Sequence, residues 1–242
     1  MSNIKSEAIV LKSFKYGETS RIVTMFSDEL GKFSAVIKGI RNAKSKIGGV
    51  FETMNHVNIM FNKKDNRELQ FINNADCISS FPKIKDDFDK LMTAYKFSEL
   101  TNRMMYNYDI SREVFDNLRS ALYILNSGKT NNDLLFIMYQ VKFAVIQGIN
   151  PVILNDERNF HDGNIVLKDK DMNYSRNLFT ESKMVNAINM LYSAEYNDAE
   201  SIEISGDLTT KIQNAYDYHY MSVAEKYGHN RSRQIIDELT KN

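Results

Sequence analysis

The sequence predicts an α+β chain in which a small five-stranded β-barrel is followed by an all-helical domain. As far as about Ile78, short segments rich in Ile, Val, Phe and Thr alternate apolar and polar residues with the period typical of half-buried strands. After Phe81-Pro82 the apolar residues recur at helical spacing, and proline is favoured in the first turn of a helix. We therefore expect a first domain over residues 1–80 and a second over residues 81–242.

The five predicted strands are separated by turn signals. In the third strand Phe33, Ala35 and Ile37 fall on one face, which is the alternation expected of a barrel strand. Gly31 marks a tight turn before that strand, and residues 39–51 form a longer connection after it. The predicted strands cover residues 8–12, 21–27, 32–38, 56–62 and 68–73.

Helical stripes account for most of the second domain. The first helix is expected to begin at Pro82 and to bury Ile84, Phe88, Leu91 and Tyr95 on one face. The four further stripes include Leu118, Met138, Ile188 and Ile212.

Two glycines and one polar stretch divide these helices. Gly128 and Gly148 are predicted to end the second and third helices, because glycine readily adopts the left-handed conformation found just past a helix. Between residues 151 and 177 the apolar periodicity disappears, and we expect a non-helical polar excursion there.

The composition is that of an ordinary globular protein. Of 242 residues, 43% are hydrophobic and 26% are charged, which indicates neither disorder nor a fibrous class. We expect a cytoplasmic protein without a membrane span, since no apolar run approaches the roughly 18 residues that a span needs. The single cysteine, Cys77, excludes an internal disulfide and a multi-thiolate metal site, and we interpret it as a small core residue.

The net charge of zero conceals a division along the chain. Residues 1–80 hold 12 Lys and Arg against 8 Asp and Glu, and the remainder holds 19 against 23. Such asymmetry between parts of a chain points to a nucleic-acid face in the basic part.

A candidate nucleic-acid face follows if the first domain is an oligonucleotide-binding (OB) barrel. Such barrels bind their ligand with strands two and three and with two flanking loops, and each of those places is basic here. Lysine and arginine would neutralise phosphates, and Phe14 and Tyr16 lie in the first loop, where an exposed ring could stack on a base. The alternative for both rings is a lid on the barrel end, which is favoured for Phe14 and equally plausible for Tyr16. The alternative is a set of solvated loops. The candidate residues are Lys12, Lys15, Tyr16, Arg21, Lys38, Arg41, Lys44, Lys46, Lys63, Lys64 and Arg67.

Several of these residues lie in runs that closely resemble the N-terminal signature of the RecO family. The runs are AIVLK at 8–12, YGETSRIVTMF at 16–26, Gly31, KGIR at 38–41, Lys44-Ser45 and Gly48-Gly49. The Phe81-Pro82 step and GINP at 148–151 are also similar to RecO, whereas the C-terminal quarter hardly matches.

The resemblance implies an OB-fold protein that acts in DNA repair and recombination. It implies binding of single- and double-stranded DNA, annealing of complementary strands, association with the nucleoid, and help in loading RecA. The implied partners are RecR and the C-terminal tail of single-stranded-DNA-binding protein. Many members carry a four-cysteine zinc module in the region of the polar excursion, and because this chain has no cysteine there we expect the zinc module to be lost and no cofactor to be bound.

Other chemistries find little support in the residues. Arg112 and Arg119 lie seven apart on one helix face and are weak candidates for binding an acidic peptide tail, although two solvated arginines are the simpler interpretation. A metal-dependent nuclease would need carboxylates near the basic face, where only Glu18 and Asp65 are close. We expect no enzymatic activity, and keep a nuclease and an RNA-binding or protein-binding module as alternatives.

Overall fold

The computed structural model describes residues 2–40, 47, 49–64, 69–72, 74–128, 131–151 and 182–239. Within these described residues, six strands come first and six α-helices follow, with a short 3-10 helix between the last two. The chain divides into two compact units, Met1–Tyr139 and Gln140–Asn242. Among the described residues, no helix combines the length and apolar character that crossing a bilayer requires.

All five predicted strands are present, and a sixth follows them. The strands are β1 (Ser2–Tyr16), β2 (Ser20–Ser27), β3 (Gly31–Ile37), β4 (His56–Lys63), β5 (Leu69–Phe71) and β6 (Asn74–Ser79). They form one mixed sheet in the order β5-β3-β2-β1-β4-β6, in which β3 and β5 run parallel and the other pairs run antiparallel. The sheet is open in this order, so the closed five-stranded barrel is not confirmed.

A β-bulge in β1 decides which side chains face outward beyond it. Val10 lies opposite Met25, but Lys12 lies opposite Thr24, so Leu11 is an extra residue and the alternation shifts by one. Ahead of the bulge, Val10 joins the buried inner core, whereas after it Lys12 shares the outer face with Thr24.

The inner face of the sheet is the apolar core of this region. Its side chains are almost fully buried, and Phe33 and Phe61 stack there with ring centroids 5.6 Å apart. The core cluster is Ala8, Val10, Val23, Met25, Leu30, Phe33, Ala35, Ile37, Ile40, Phe51, Val57, Ile59, Phe61, Ile72 and Ala75. Cys77 does not belong to it: β6 is an edge strand and Cys77 is exposed, so its interpretation as a core residue was wrong.

The strands give way to helices at Phe81–Pro82, as predicted. However, a short α1 (Pro82–Lys85) stops after one turn, and α2 (Phe88–Met104) starts anew because the Asp87 carboxylate caps it by accepting from the Asp89 and Lys90 N–H groups. Of the predicted stripe, Ile84 is buried in α1 as expected, but Phe88 and Tyr95 are exposed, and α2 buries Ala94 and Phe97 instead. Whether residues 1–80 fold as an independent domain stays a prediction.

Helix α3 (Arg112–Ser127) covers part of the outer sheet face. Its Phe115 ring lies 6.5 Å from the Phe26 ring of β2 and 6.1 Å from the His56 ring of β4, measured between centroids. The His56 imidazole is also 3.0 Å from the Glu7 carboxylate and 3.2 Å from the Tyr123 hydroxyl. Gly128 ends α3 in the left-handed conformation, as predicted. The half of the outer face that includes Phe26 and His56 is therefore occupied by α3.

The second unit begins within helix α4 (Asn132–Ile146), at Gln140. After α4 come α5 (Ser182–Ser193), the 3-10 helix Tyr196–Ser201 and α6 (Gly206–Leu239). From α6 the Tyr220 hydroxyl donates to the Gln140 carbonyl at 2.6 Å, and the Tyr216 hydroxyl donates to Asn150 Oδ1 at 2.6 Å. Gly148 ends the α4 region in the left-handed conformation, as predicted. Residues 152–181 lie outside the described part of the chain, and the predicted polar excursion falls there from residue 152 to residue 177.

Candidate nucleic-acid interface

The remaining half of the outer sheet face presents aromatic rings to solvent. Beyond the bulge, Lys12, Phe14 and Tyr16 alternate along β1 on the outer side, and Phe14 is 43% exposed and Tyr16 53% exposed. Across β2 and β3, Thr24 and Ser34 continue the same face, and their hydroxyls lie 3.0 Å apart. The face therefore combines exposed rings with small polar groups.

Lysines lie directly over rings on this face. The Lys12 ammonium is 5.7 Å from the centroid of Phe14, and the Lys38 ammonium is 4.8 Å from the centroid of Phe71 on β5. A cation over a ring is attracted by the electrons of the ring face. We call these five residues, Lys12, Phe14, Tyr16, Lys38 and Phe71, the ring-and-lysine patch.

Two further basic residues face each other on the opposite side of the same strands. Lys15 of β1 lies directly across from Arg21 of β2, and like charges in this position repel each other. Within the described residues, the Arg21 Nε is buried and has no hydrogen-bond partner. An anion bound between the two side chains would reduce their repulsion and would accept a hydrogen bond from the unpaired Arg21 Nε.

Lys63 and Lys64 lie at the start of the β4–β5 connection. The Lys63 ammonium is 5.3 Å from the centroid of the Tyr108 ring, which belongs to the connection between α2 and α3. Lys64 is held through its backbone, because its N–H donates to the Gln70 side chain at 3.0 Å and its carbonyl accepts from the same amide at 2.9 Å. The predicted basic residues that the structure describes thus fall into three places: the ring-and-lysine patch, the Lys15–Arg21 pair and the start of the β4–β5 connection.

Four predicted residues lie outside the described part of the chain. They are Arg41, Lys44, Lys46 and Arg67.

Arg112 and Arg119 make ion pairs along one edge of α3. Arg112 is 3.3 Å from the Asp28 carboxylate and 3.5 Å from Asp116, and its side chain is 63% exposed. Arg119 is 2.8 Å from Asp116 and 3.7 Å from Glu7. Both guanidinium groups therefore contact acidic side chains of the same chain.

Two rings of the ring-and-lysine patch, those of Phe14 and Phe71, are not among the binding residues that the sequence predicts. Phe14 was interpreted as a lid on the barrel end, but it is exposed, because the bulge turns its side of β1 outward. Phe71 was not singled out; its place follows from the parallel pairing with Val36, which no local pattern reveals. Lys12, Lys15 and Tyr16 lie in the long β1 itself rather than around a loop, and the turn that follows is only Gly17–Thr19.

Acidic groups are sparse around this face. Glu18 is exposed in the turn between β1 and β2, and Asp65 lies outside the described residues. Over the described part of the chain, no three His, Cys, Asp or Glu side chains come together in a way that could hold a metal ion. The arrangement favours binding of anions and flat rings.

Comparison with known proteins gives consistent matches. Residues 1–81 match the family model described as Recombination protein O N terminal. The chain is 31% identical over 148 residues to the DNA repair protein RecO of Chlorobium limicola, covering 61% of this chain and 57% of that protein. It is 30% identical over 152 residues to RecO of Salinibacter ruber, covering 63% of this chain and 58% of that protein. It is 32% identical over 144 residues to RecO of Chloroherpeton thalassium, covering 60% of this chain and 56% of that protein.

The matched part spans less than two thirds of each of these relatives. The family model, which matches residues 1–81, includes the N-terminal runs at 8–49 that resemble the RecO signature and all residues of the ring-and-lysine patch. These matches confirm the resemblance of the chain to the RecO family, and residues 1–81 match the model of that family's N-terminal part.

Proposed function

We propose that the chain is a DNA repair and recombination protein that binds single- and double-stranded DNA and anneals complementary strands. The single observation that carries this proposal is the ring-and-lysine patch, in which exposed rings and ammonium groups share one sheet face. The relatives named DNA repair protein RecO support the same role.

Single strands suit the patch because their bases are available for stacking. A base stacked on an aromatic side chain contributes roughly 1–3 kcal/mol, and this holds for every base because each has a flat face. Lys12 and Lys38 lie beside the rings and would neutralise the neighbouring phosphates. Double strands would bind through phosphates alone, with Lys15 and Arg21 as the pair best placed to share one.

Annealing follows from the same chemistry. Stacking and phosphate contacts leave the hydrogen-bonding edges of the bases free to pair with a second strand. Neutralised phosphates also repel that strand less. The patch would therefore hold one strand in a form that a complementary strand can reach.

The proposed protein partners are RecR and the acidic C-terminal tail of single-stranded-DNA-binding protein, and the proposed outcome is assisted loading of RecA. Arg112 supports an acidic partner, because its guanidinium is largely exposed although it contacts Asp28 and Asp116. An acidic tail would exchange places with those carboxylates, so Arg112 and Arg119 are the residues we assign to it.

The test is an annealing assay with two complementary oligonucleotides, one carrying a fluorophore and the other a quencher, with and without single-stranded-DNA-binding protein. We expect faster annealing, with both strands unchanged in length on a denaturing gel and no hydrolysis of ATP. Strand cleavage that disappears in a Glu18→Gln or Asp65→Asn variant would instead identify a nuclease, and equal preference for RNA would favour an RNA-binding module.

A further inference from the structure

The connection between α2 and α3 brings an exposed tyrosine to the β4–β5 connection. Tyr108 is 39% exposed, and the Lys63 ammonium lies 5.3 Å from its ring centroid. Its hydroxyl accepts from the Gln70 side chain of β5 at 3.4 Å. A ring from the helical part of the chain is thus placed next to the basic residues that end β4.

This connection also continues the line of β5 along β3. Phe71 pairs with Val36 and Leu69 with Ser34, and Asn107 forms a parallel bridge with Lys32. The Tyr108 N–H donates to the Lys32 carbonyl at 2.7 Å. Val36 and Lys32 are four residues apart, which is about 13 Å along a strand. Asn107 lies at the start of β3 and Phe71 near its end, so Tyr108 lies along the same edge of the sheet as β5. Its hydroxyl contacts Gln70, which pairs with Ala35 of the inner core, so Tyr108 lies on the side of that edge opposite to Phe71.

The position of Tyr108 is held firmly. Its φ of 61° is in the left-handed region, which a tyrosine rarely adopts and which persists only where the surroundings impose it. Gly31 permits the close approach, because a Cβ there would lie 2.0 Å from the Asp109 carbonyl oxygen. The Lys32 ammonium also donates to the Asn102 carbonyl at 2.6 Å, which fixes the end of α2 against the sheet.

We propose that Tyr108, with Lys63 over its ring, is a second stacking platform for single-stranded DNA, supplied by the helical part of the chain at the β5 edge of the sheet. The proposal rests on the proposed function, since a strand bound to the ring-and-lysine patch would pass over this edge to reach Tyr108. The base would stack on the exposed side of the Tyr108 ring, and Lys63 and Lys64 would contact the neighbouring phosphates. The RecO-like sheet would then bind a longer strand than the ring-and-lysine patch alone.

The chain contains no tryptophan, which permits a direct test by fluorescence. Tyr108→Trp, Tyr16→Trp and Tyr218→Trp each introduce a single tryptophan, and Tyr218 on α6 is a matched control because it is 42% exposed. The probe is an oligothymidylate of about 16 nucleotides, the upper end of the range that one OB fold binds. We expect the single strand to quench the tryptophans at positions 108 and 16 but not the one at position 218.

A duplex of the same length should leave the fluorescence of the Tyr108→Trp variant unchanged, because its bases are already stacked on each other. Equal quenching by the duplex, or no quenching at position 108 while the Tyr16→Trp variant responds, would overturn the second platform and leave the proposed function intact. If no variant responds and the wild-type chain does not bind the strand, the proposed function itself fails.

Affinity provides an independent measurement. Tyr108→Ala should weaken single-strand binding by about 5-fold to 150-fold, whereas Tyr108→Phe keeps the ring and should bind within about twofold of the wild type. A folded Tyr108→Ala variant with wild-type affinity would contradict the proposal. If that variant does not fold, the tryptophan measurements decide.

Discussion

Replacing the exposed lysines of the sheet region by alanine should change how salt affects DNA binding. Lys12, Lys15 and Lys38 are all exposed, so the triple Ala variant should keep its fold, because an exposed charge contributes little to stability. Each phosphate contact contributes roughly 0.7 to the slope of log affinity against log salt for single strands. Three contacts therefore account for a slope of about 2.

The expected slope change is large enough to measure. Over a fourfold rise in salt, a slope of about 2 corresponds to roughly a 20-fold change in affinity, so the wild-type chain should lose about 20-fold more affinity than the variant. The assay is fluorescence anisotropy of a labelled oligothymidylate in a salt series, after circular dichroism has verified the fold of each variant.

A control variant removes the same charge elsewhere. Lys5, Lys83 and Lys183 are also exposed, and their triple Ala variant should retain the wild-type slope. Tyr16→Ala should weaken binding by roughly 1–3 kcal/mol without changing the slope, which separates stacking from charge. An unchanged slope in the Lys12, Lys15 and Lys38 variant, or an equal decrease in the control, would refute the assignment of phosphate contacts to these three lysines.

Three further predictions concern stability and composition. Gly31→Ala should lower the free energy of unfolding by more than about 2 kcal/mol, because left-handed backbone strain adds to a clash with the Asp109 carbonyl. Gly17→Ala is the control, because Gly17 also has a positive φ but has open space around it, so only the strain should appear. Equal urea unfolding midpoints for the two variants would contradict this prediction. Burial lowers the pKa of His56 and of His219 below the ordinary 6.5, so the unfolded chain binds protons more readily than the folded chain. The free energy of unfolding should therefore fall as the pH decreases below about 6.5. A urea unfolding midpoint that stays constant from about pH 7.5 to pH 5 would argue against this prediction. Elemental analysis should find only substoichiometric zinc, and a melting temperature lowered by chelators would show that other ligands had replaced the missing cysteines.

Local patterns were sufficient for most of the elements. The alternation of apolar residues located five of the six strands, and the helical stripes located the helices around Leu118, Met138, Ile188 and Ile212. Gly128 and Gly148 were predicted to end helices because the left-handed conformation is a local property of the chain, and both adopt it. The prediction of one continuous helix from Pro82 was wrong, because apolar spacing alone did not reveal the Asp87 cap that divides it. As a result Phe88 and Tyr95 face outward.

The residue types available for binding DNA, namely the basic side chains of the first 80 residues and Tyr16 among them, can be identified from the sequence alone. How these side chains are grouped depends on the tertiary structure, because the face and the neighbours of each residue depend on strand register and long-range pairing. A one-residue bulge beside Leu11 turns Phe14 outward, and the β3–β5 pairing brings Phe71 under Lys38. Tyr108 and Lys63 are 45 residues apart in the sequence but contact each other, because a close approach at Gly31 lets the connection between α2 and α3 lie against the sheet.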